Sequence, residues 1–368
     1  MKRFVVTCVT VGMMVACPWA SHLRAEEHPV QAEKLRILVD KVLMRSNSWE
    51  MTEAHVKEIA DAGFNVLSPR LGGDDPDRIR RVAALAGKHG VKYVAWMRGS
   101  LATQNGLKYV HADGQDQPIY SPNADELWTW MTELILAHVK ISTEIPAMVG
   151  SFLDFENYAK GKNGNCYALS YDDKVLAEFA AETGTKLPEL EPSARADWLV
   201  DQGLHDRFEA FQIASWRRRA RALREAVDKI NPSYLLIIYP APGTLFMREG
   251  LYPEWATEKA PLVLADASTY GRPAIFMDEN EALETNRGKM QNRMATPEVQ
   301  GIPHIYLGGI DPVVDGADPE FCGKNASMLA QVSDGYWVFY EGPEYATDHK
   351  EYFHWFALAN RGIGSGDF

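Results

Sequence analysis

The sequence is poor in the residues and motifs that mark metal sites, cofactor sites and disulfide-rich folds. It has four cysteines among 368 residues. The patterns His-x-His and His-Glu-x-x-His are absent, which argues against a zinc hydrolase. No Gly-x-Gly-x-x-Gly follows the first predicted strand, and no Gly-x-Ser-x-Gly marks an esterase nucleophile elbow. We therefore expect a chemistry that needs neither a metal nor a cofactor.

Basic charge is also scarce. The formal net charge is −12 and the sequence pI is about 5.4. The one run of basic residues that stands out, Arg217 to Arg219, is interpreted as the solvated face of a helix. An acidic chain without a basic patch argues against nucleic acid or an anionic membrane as a partner.

The first 25 residues have the pattern of a signal peptide. Met1-Lys2-Arg3 is a basic start, and the apolar run over residues 4–16 is too short to span a membrane as a helix. Cleavage between residues 20 and 25 would release the chain, whereas cleavage before Cys17 would leave a lipid anchor. The mature chain is expected to be exported and periplasmic, extracellular or anchored at the cell surface. It keeps Cys166 and Cys322, either as one disulfide or as two free thiols.

Eight predicted strands alternate with predicted helices over residues 26–368. The strands are expected at Arg36–Arg45, Phe64–Pro69, Val91–Met97, Ala147–Asp154, Tyr234–Tyr239, Pro261–Asp266, Ile302–Leu307 and Gly335–Tyr340. This count predicts a single α/β domain, a (β/α)8 TIM barrel, with an inserted loop and short helix after strand four. A doubly wound open sheet is the alternative, but the polar residues follow many strands instead of one switch point.

The fourth predicted strand ends in two carboxylates, Asp154 and Glu156. Side chains alternate along a strand, so both are expected to point the same way, with Cα atoms roughly 6–7 Å apart. Like charges at that distance oppose folding and perturb a pKa, which suggests a functional role. The alternative is structural, with one carboxylate pairing with an arginine and the other capping the next loop.

Strand ends of a barrel converge on one mouth, so polar and aromatic residues after the strands are candidates for one site. Carboxylates at Asp154, Glu156 and Asp266 are the catalytic candidates, since glycosidic cleavage needs a proton donor and a second carboxylate. Aromatic rings and charged groups match the apolar faces and hydroxyls of sugars, with core packing as the alternative for each ring. The substrate-binding candidates are Arg45, Asn47, Trp49, Arg70, Trp96, Arg98, Asn157, Tyr158, Tyr239, Tyr270, Tyr306, Asp311, Trp337 and Glu341.

The segment Leu153-Asp154-Phe155-Glu156 resembles the Asp-x-Glu strand end of chitinase-type and muramidase-type barrel hydrolases. That resemblance implies that Glu156 is the general acid and that Asp154 supports it or positions the substrate. The chitinase pattern has an earlier aspartate where this chain has Phe152. The resemblance therefore does not extend to assistance by an N-acetyl group of the substrate.

Two further resemblances concern other parts of the barrel. Residues 167–188 are similar to the loop after strand four in a broad group of bacterial barrel hydrolases, some of them β-galactosidase-like. The placement of Asp154 and Asp266 resembles the nucleophile and acid/base of the α-galactosidase-like clan. The cellulase-like pattern, Asn-Glu after strand four and Glu after strand seven, is not met, because Glu156 precedes Asn157 and the nearest acid after strand seven is Asp311.

Taken with these resemblances, the sequence predicts an exported glycoside hydrolase that acts on an oligo- or polysaccharide without a cofactor. Glu156 is expected to be the general acid, and Asp154 the nucleophile or stabiliser. Two alternatives stay open: a retaining α-glycosidase that uses Asp154 and Asp266, and a catalytically silent carbohydrate-binding barrel at the cell surface.

Overall fold

The first strand is followed at once by a short helix. The computed structural model describes residues 33–156 and 168–362. Strand β1 (Leu35–Asp40) ends at Asp40 and not at Arg45 as predicted, because α1 (Val42–Ser46) follows it. The Asp40 carboxylate accepts hydrogen bonds from the backbone N–H groups of Leu43 at 2.9 Å and Met44 at 3.0 Å. These bonds satisfy N–H groups in the first turn of α1 that have no helical partner.

Eight parallel strands close into a barrel, which confirms the predicted (β/α)8 fold. Each barrel strand pairs with the next one along the chain, and β10 pairs with β1 to close the ring. After β1 the barrel strands are β2 (Val66–Pro69), β3 (Lys92–Arg98), β6 (Met148–Asp154), β7 (Leu235–Ala241), β8 (Leu262–Asp266), β9 (His304–Ile310) and β10 (Gly335–Tyr340).

Helices lie between the barrel strands. They are α2 (Glu53–Asp61), α3 (Pro76–Lys88), α4 (Asp125–Glu144), α5 (Asp173–Thr183), α6 (Arg195–Asp201), α7 (His205–Asp228), α8 (Tyr252–Trp255), α9 (Glu279–Met294), α10 (Pro297–Gln300), α11 (Pro319–Val332) and α12 (His349–Gly362). A 3-10 turn at Pro192–Ala194 precedes α6, and a π-helical segment at Phe246–Leu251 precedes α8. Within the described ranges no helix combines the length and apolarity needed to cross a membrane.

Among the described residues, two insertions extend from the loops after β3 and β6. The helix predicted after strand four is present as α5, which Asp172 caps by accepting the Val175 N–H at 2.9 Å. The other insertion, a hairpin of β4 (Lys108–Val110) and β5 (Asp116–Tyr120) after β3, was not predicted. Its strands are short, and its one sequence signal is the Asp113-Gly114 pair at the turn, where Gly114 has a φ of 82°.

Every barrel strand buries both of its faces. Alternate residues such as Val39, Phe152 and Trp337 fill the inside of the barrel, while their neighbours pack under the helices. This arrangement is expected of a parallel sheet covered on both sides. The face to which a strand residue belongs therefore decides whether its side chain reaches the barrel interior and its mouth.

Several predictions concern residues outside the described ranges. These are the signal peptide over residues 1–25, the lipid anchor at Cys17, the thiol of Cys166, and the site residues Asn157 and Tyr158. The other mature cysteine, Cys322, lies buried in α11, and its thiol donates to the Ala317 carbonyl at 3.4 Å.

The buried Asp40 carboxyl is expected to make stability depend on pH. Burial raises its pKa from 3.8 to about 7, despite the backbone N–H groups that lower it. A raised folded-state pKa contributes stability that is complete below pH 3.8 and is lost as pH rises through 7. The free energy of unfolding of the wild type, minus that of Asp40→Asn, should therefore fall between pH 4.5 and 7.5. The fall is at most about 1.4 kcal/mol per pH unit.

Urea unfolding at four pH values measures this difference. The control is Gln202→Ala at the exposed end of α6, which removes no ionisable group and should give a difference that does not change with pH in this way. An Asp40→Asn difference that stays constant from pH 4.5 to 7.5 would contradict the argument.

Candidate active site at the barrel mouth

Strand β6 ends at Asp154, so Asp154 and the nearby Glu156 lie at the mouth of the barrel. Phe152 belongs to the core inside the barrel, so Asp154, two residues further along, points inward as well. The side chain of Asp154 is 0% exposed, and its Oδ1 accepts the backbone N–H of Glu156 at 2.9 Å. Glu156 lies two residues after Asp154 and is only partly buried. The buried carboxylate of Asp154 thus holds the backbone of the partly buried glutamate in place.

Two arginines face the buried carboxylate. Arg70 Nη1 lies 3.5 Å from Asp154 Oδ2, and Arg98 Nη1 lies 3.9 Å from the same atom. Arg98 also donates to the Glu156 carbonyl oxygen at 3.1 Å. Burial raises the pKa of Asp154 to about 6, and the two arginines counteract part of that rise. The structural alternative considered for this strand end, an ion pair with arginine, is therefore present at Asp154.

The guanidinium group of Arg70 lies against two aromatic rings. Its central carbon is 3.9 Å from the ring centroid of Trp96 and 4.7 Å from that of Phe339. Burial lowers the pKa of Arg70, and the Asp154 charge opposes that effect. Cation–π contact and the ion pair together compensate for the lost hydration of the guanidinium group.

Aromatic rings line the barrel interior beside the carboxylates. Tyr239 stacks on Tyr270 with ring centroids 6.4 Å apart, and it meets Trp337 edge-on at 4.9 Å. Burial raises the pKa of Tyr239, and the nearby charges of Glu156 and Asp154 raise it further. Tyr239 therefore stays protonated at neutral pH and lies near both carboxylates.

A third carboxyl, that of Asp311, directly follows β9, which is the third strand from β6 round the barrel. Its backbone N–H donates to the Tyr270 carbonyl at 3.2 Å, and its Oδ1 accepts the Val313 N–H at 2.9 Å. The side chain is mostly buried, and burial raises its pKa to about 7, with further contributions from the charges of Glu341 and Glu156. Asp311 and Glu156 thus interact electrostatically across the mouth.

Glu341, which directly follows β10, completes the acidic cluster. Its Oε2 lies 2.6 Å from Lys41 Nζ, and the Lys41 charge in turn lowers the pKa of Asp311. Among the described residues, no three His, Cys, Asp or Glu side chains are arranged to hold a metal ion. What the cluster offers is several carboxyl groups that differ in burial.

Buried polar atoms without a hydrogen-bond partner gather on one wall of the same region. They are Ser68 Oγ, Arg70 Nε, Trp96 Nε1 and Asp154 Oδ2, carried on or just after the adjacent strands β2, β3 and β6. Buried polar groups are normally hydrogen-bonded, so these enclosed atoms form an unusual polar lining behind the mouth, in which Asp154 Oδ2 is held by its ion pairs with Arg70 and Arg98. The sequence analysis did not include Ser68 or Phe339 among its candidates.

The structure does not bring Asp266 into the mouth. Val263 and Ala265 face the barrel interior, so Asp266 faces outward by alternation. Its Oδ2 accepts the Tyr306 hydroxyl at 2.5 Å, and its side chain is fully buried there. Tyr306 belongs to the outer core, and it is likewise absent from the mouth. This placement does not fit the expected pairing of Asp154 with Asp266 across one substrate.

Four other candidate residues have partners elsewhere. Arg45 pairs with Glu344 at 3.0 Å on the surface, and Asn47 donates to the Glu50 carbonyl at 3.2 Å. Trp49 packs against the outer core, and the fully buried Trp337 donates to the Asp266 carbonyl at 2.9 Å. The first three were expected at a strand end that the early start of α1 displaced. The candidates that the structure does bring together are Arg70, Trp96, Arg98, Asp154, Glu156, Tyr239, Tyr270, Asp311 and Glu341.

No family model and no curated protein matches this chain at a significant level. Solved structures do match it. A β-galactosidase from Rahnella sp. R3 superposes with a TM-score of 0.57 and one from Bacillus circulans sp. alkalophilus with 0.55, each at 12% identity and over 90% of this chain. An exo-β-agarase gives 0.51 at 14% identity over 88% of this chain.

These relatives are longer than this chain. It spans 56% of each of the two β-galactosidases and 49% of the exo-β-agarase. At such identities the similarity establishes the barrel fold, and the chemistry has to be argued from the mouth itself.

Proposed function

We propose that this chain is a glycoside hydrolase that cleaves O-glycosidic bonds of an oligo- or polysaccharide, with Glu156 as the general acid and Asp311 as the second carboxyl. The observation that carries the proposal is the electrostatic interaction of Glu156 with Asp311 at the mouth, together with the Asp311 pKa of about 7. Two carboxyls whose charges interact in this way can share one proton, so the pair supplies one proton donor and one carboxylate. Glycosidic cleavage requires that combination.

In this proposal Asp154 is a positioning residue and not the nucleophile. Its side chain is 0% exposed, lies between two arginines, and accepts the backbone N–H of Glu156. A substrate cannot reach a carboxylate in that position, whereas the carboxylate does fix the backbone that carries Glu156. This choice follows the supporting role that the Asp-x-Glu resemblance implies for Asp154.

The surroundings favour a sugar as the substrate. Tyr270 is partly exposed and stacks on the buried Tyr239, so it provides aromatic surface beside the carboxylates. Proteins named β-galactosidase and exo-β-agarase share the fold, which supports the same reaction class here. A binding-only barrel has no need of a carboxyl with a raised pKa at its mouth. Export remains part of the proposal, on the pattern of residues 1–25.

A screen of the purified chain against a panel of oligo- and polysaccharides, with products identified by mass spectrometry, tests the function. The wild type should release shorter saccharides from at least one member, and a Glu156→Gln preparation should release none in the same time. Equal product from both would exclude catalysis by Glu156. No product from the wild type with any glycan would leave the binding-only barrel as the better account.

A further inference from the structure

Large exposed apolar side chains are concentrated on the mouth side of the barrel. Among the described residues there are five, and all but Val200 lie in loops that directly follow barrel strands: Leu71 after β2, Ile275 and Phe276 after β8, and Val313 after β9. Loops after parallel strands share the face that carries the mouth. Most of the large exposed apolar side chains among the described residues thus lie on the face that carries the mouth.

Phe276 is the extreme case, with 97% of its surface exposed. The Met277 N–H donates to the Ala274 carbonyl at 2.9 Å, which closes a turn with Ile275 and Phe276 at its two central positions. Glycine, proline, asparagine and aspartate usually occupy such positions, because they fit the backbone and remain hydrated. Two large apolar residues there bury little, so folding alone does not account for them.

The turn is held firmly in place. The Arg272 guanidinium group donates to Asp318 at 2.9 Å and to the carbonyls of Gly316 at 3.3 Å and Met277 at 3.4 Å. On the other side of the turn, Asp278 caps α9 by accepting the Asn280 N–H at 2.9 Å. Bracing on both sides presents the Phe276 ring in a defined position and lowers the entropic cost of binding to it.

The same loop connects this ring to the proposed active site. It carries Tyr270, which stacks on Tyr239 and whose carbonyl accepts the Asp311 N–H. Phe276 is six residues further along, so the two Cα atoms are at most about 20 Å apart. A chain of several sugars that leaves the mouth spans that distance, whereas a monosaccharide does not.

We propose that the turn Ala274–Met277 is a remote sugar-binding site, where a neutral polysaccharide bound at the mouth stacks on the exposed face of Phe276. The inference rests on the proposed function and specifies its substrate class as a long glycan. Asp278 follows the turn directly and the chain carries a net charge of −12, and both disfavour an anionic polysaccharide or an anionic membrane as the occupant.

Affinity gel electrophoresis in soluble polysaccharides tests the site without catalysis, using the chain with Glu156→Gln. Adding Phe276→Ala should weaken binding about 3- to 10-fold, as expected for the loss of one aromatic stack. Phe276→Trp should keep the affinity. Phe276→Leu, which is apolar but has no ring face, should weaken binding as much as Phe276→Ala does. Val200→Ala, which removes an exposed apolar side chain from α6, is the matched control and should change nothing.

Hydrolysis gives a second readout in the chain with Glu156 intact. Phe276→Ala should lower kcat/KM for the polysaccharide and leave that for a short oligosaccharide unchanged. Unaltered polysaccharide binding in Phe276→Ala, equal binding by the Leu and Trp variants, or Phe276-dependent binding to vesicles of anionic lipid would each overturn the proposal. Phe276-dependent binding by a wild type that cleaves no glycan would uphold this site while refuting the proposed hydrolysis.

Discussion

Replacement of Glu156 by glutamine is expected to lower kcat on a natural glycan by about 10³-fold while leaving the fold and the affinity for the glycan intact. Glutamine keeps the size and polarity of the side chain but cannot donate the proton that the leaving oxygen needs, and general acid catalysis typically contributes 10²–10⁴-fold. The side chain is only partly buried, and glutamine retains an oxygen that accepts hydrogen bonds. Thermal unfolding should therefore occur at the wild-type temperature.

A substrate that needs no proton donor distinguishes the roles of the two carboxyls. A dinitrophenyl glycoside of the sugar identified in the screen has a leaving group that departs as an anion. Glu156→Gln should retain most of the wild-type rate of bond cleavage with it, whereas Asp311→Asn should be slow with both the activated and the natural substrate. The reverse pattern would assign the acid role to Asp311. Wild-type rates in Asp311→Asn would remove it from the mechanism.

The fold was predictable because the apolar periodicity of the strands and helices was clear in the sequence. The site was predictable only where the sequence showed which residues of a strand face the inside of the barrel. The barrel strand that ends in Asp154 was correctly placed, and so was the short helix after it. The Pro261–Asp266 segment is apolar at every position before its aspartate, since both faces of a parallel strand are buried. Such a run does not reveal which residues face inward, and that is why Asp266 was included.

The strand that leads to Asp311 shows another limit. The sequence predicts its end at Leu307, before the pair Gly308-Gly309, but the strand continues to Ile310. A Cβ on Gly309 would lie 2.2 Å from the Asp266 carbonyl oxygen, so only glycine permits this close approach between the strands. The sequence analysis placed Asp311 among the substrate-binding candidates at the mouth, but it gave this residue no catalytic role.

Loss of Arg70 should destabilise the protein strongly. Arg70 is the nearer of the two arginines that compensate the buried Asp154 carboxylate, and it fills the space between Trp96 and Phe339. Arg70→Met retains an unbranched apolar side chain between the rings and removes only the charge. Breaking a buried ion pair from one side typically costs about 3–5 kcal/mol. We expect the free energy of unfolding at pH 7.5 to fall by about 3 kcal/mol, the lower figure because Arg98 remains nearby.

The pH dependence identifies the cause of that loss. Without Arg70 the pKa of Asp154 should rise above its value of about 6, so its carboxyl is protonated in folded Arg70→Met at pH 5 and the penalty for a buried charge disappears. Urea unfolding should therefore show a smaller deficit at pH 5 than at pH 7.5, and Asp154→Asn in the same chain should recover much of the loss at pH 7.5. A deficit that is equal at both pH values and persists in the double variant would mean that Arg70 acts through packing, and that Asp154 is not held by its charge.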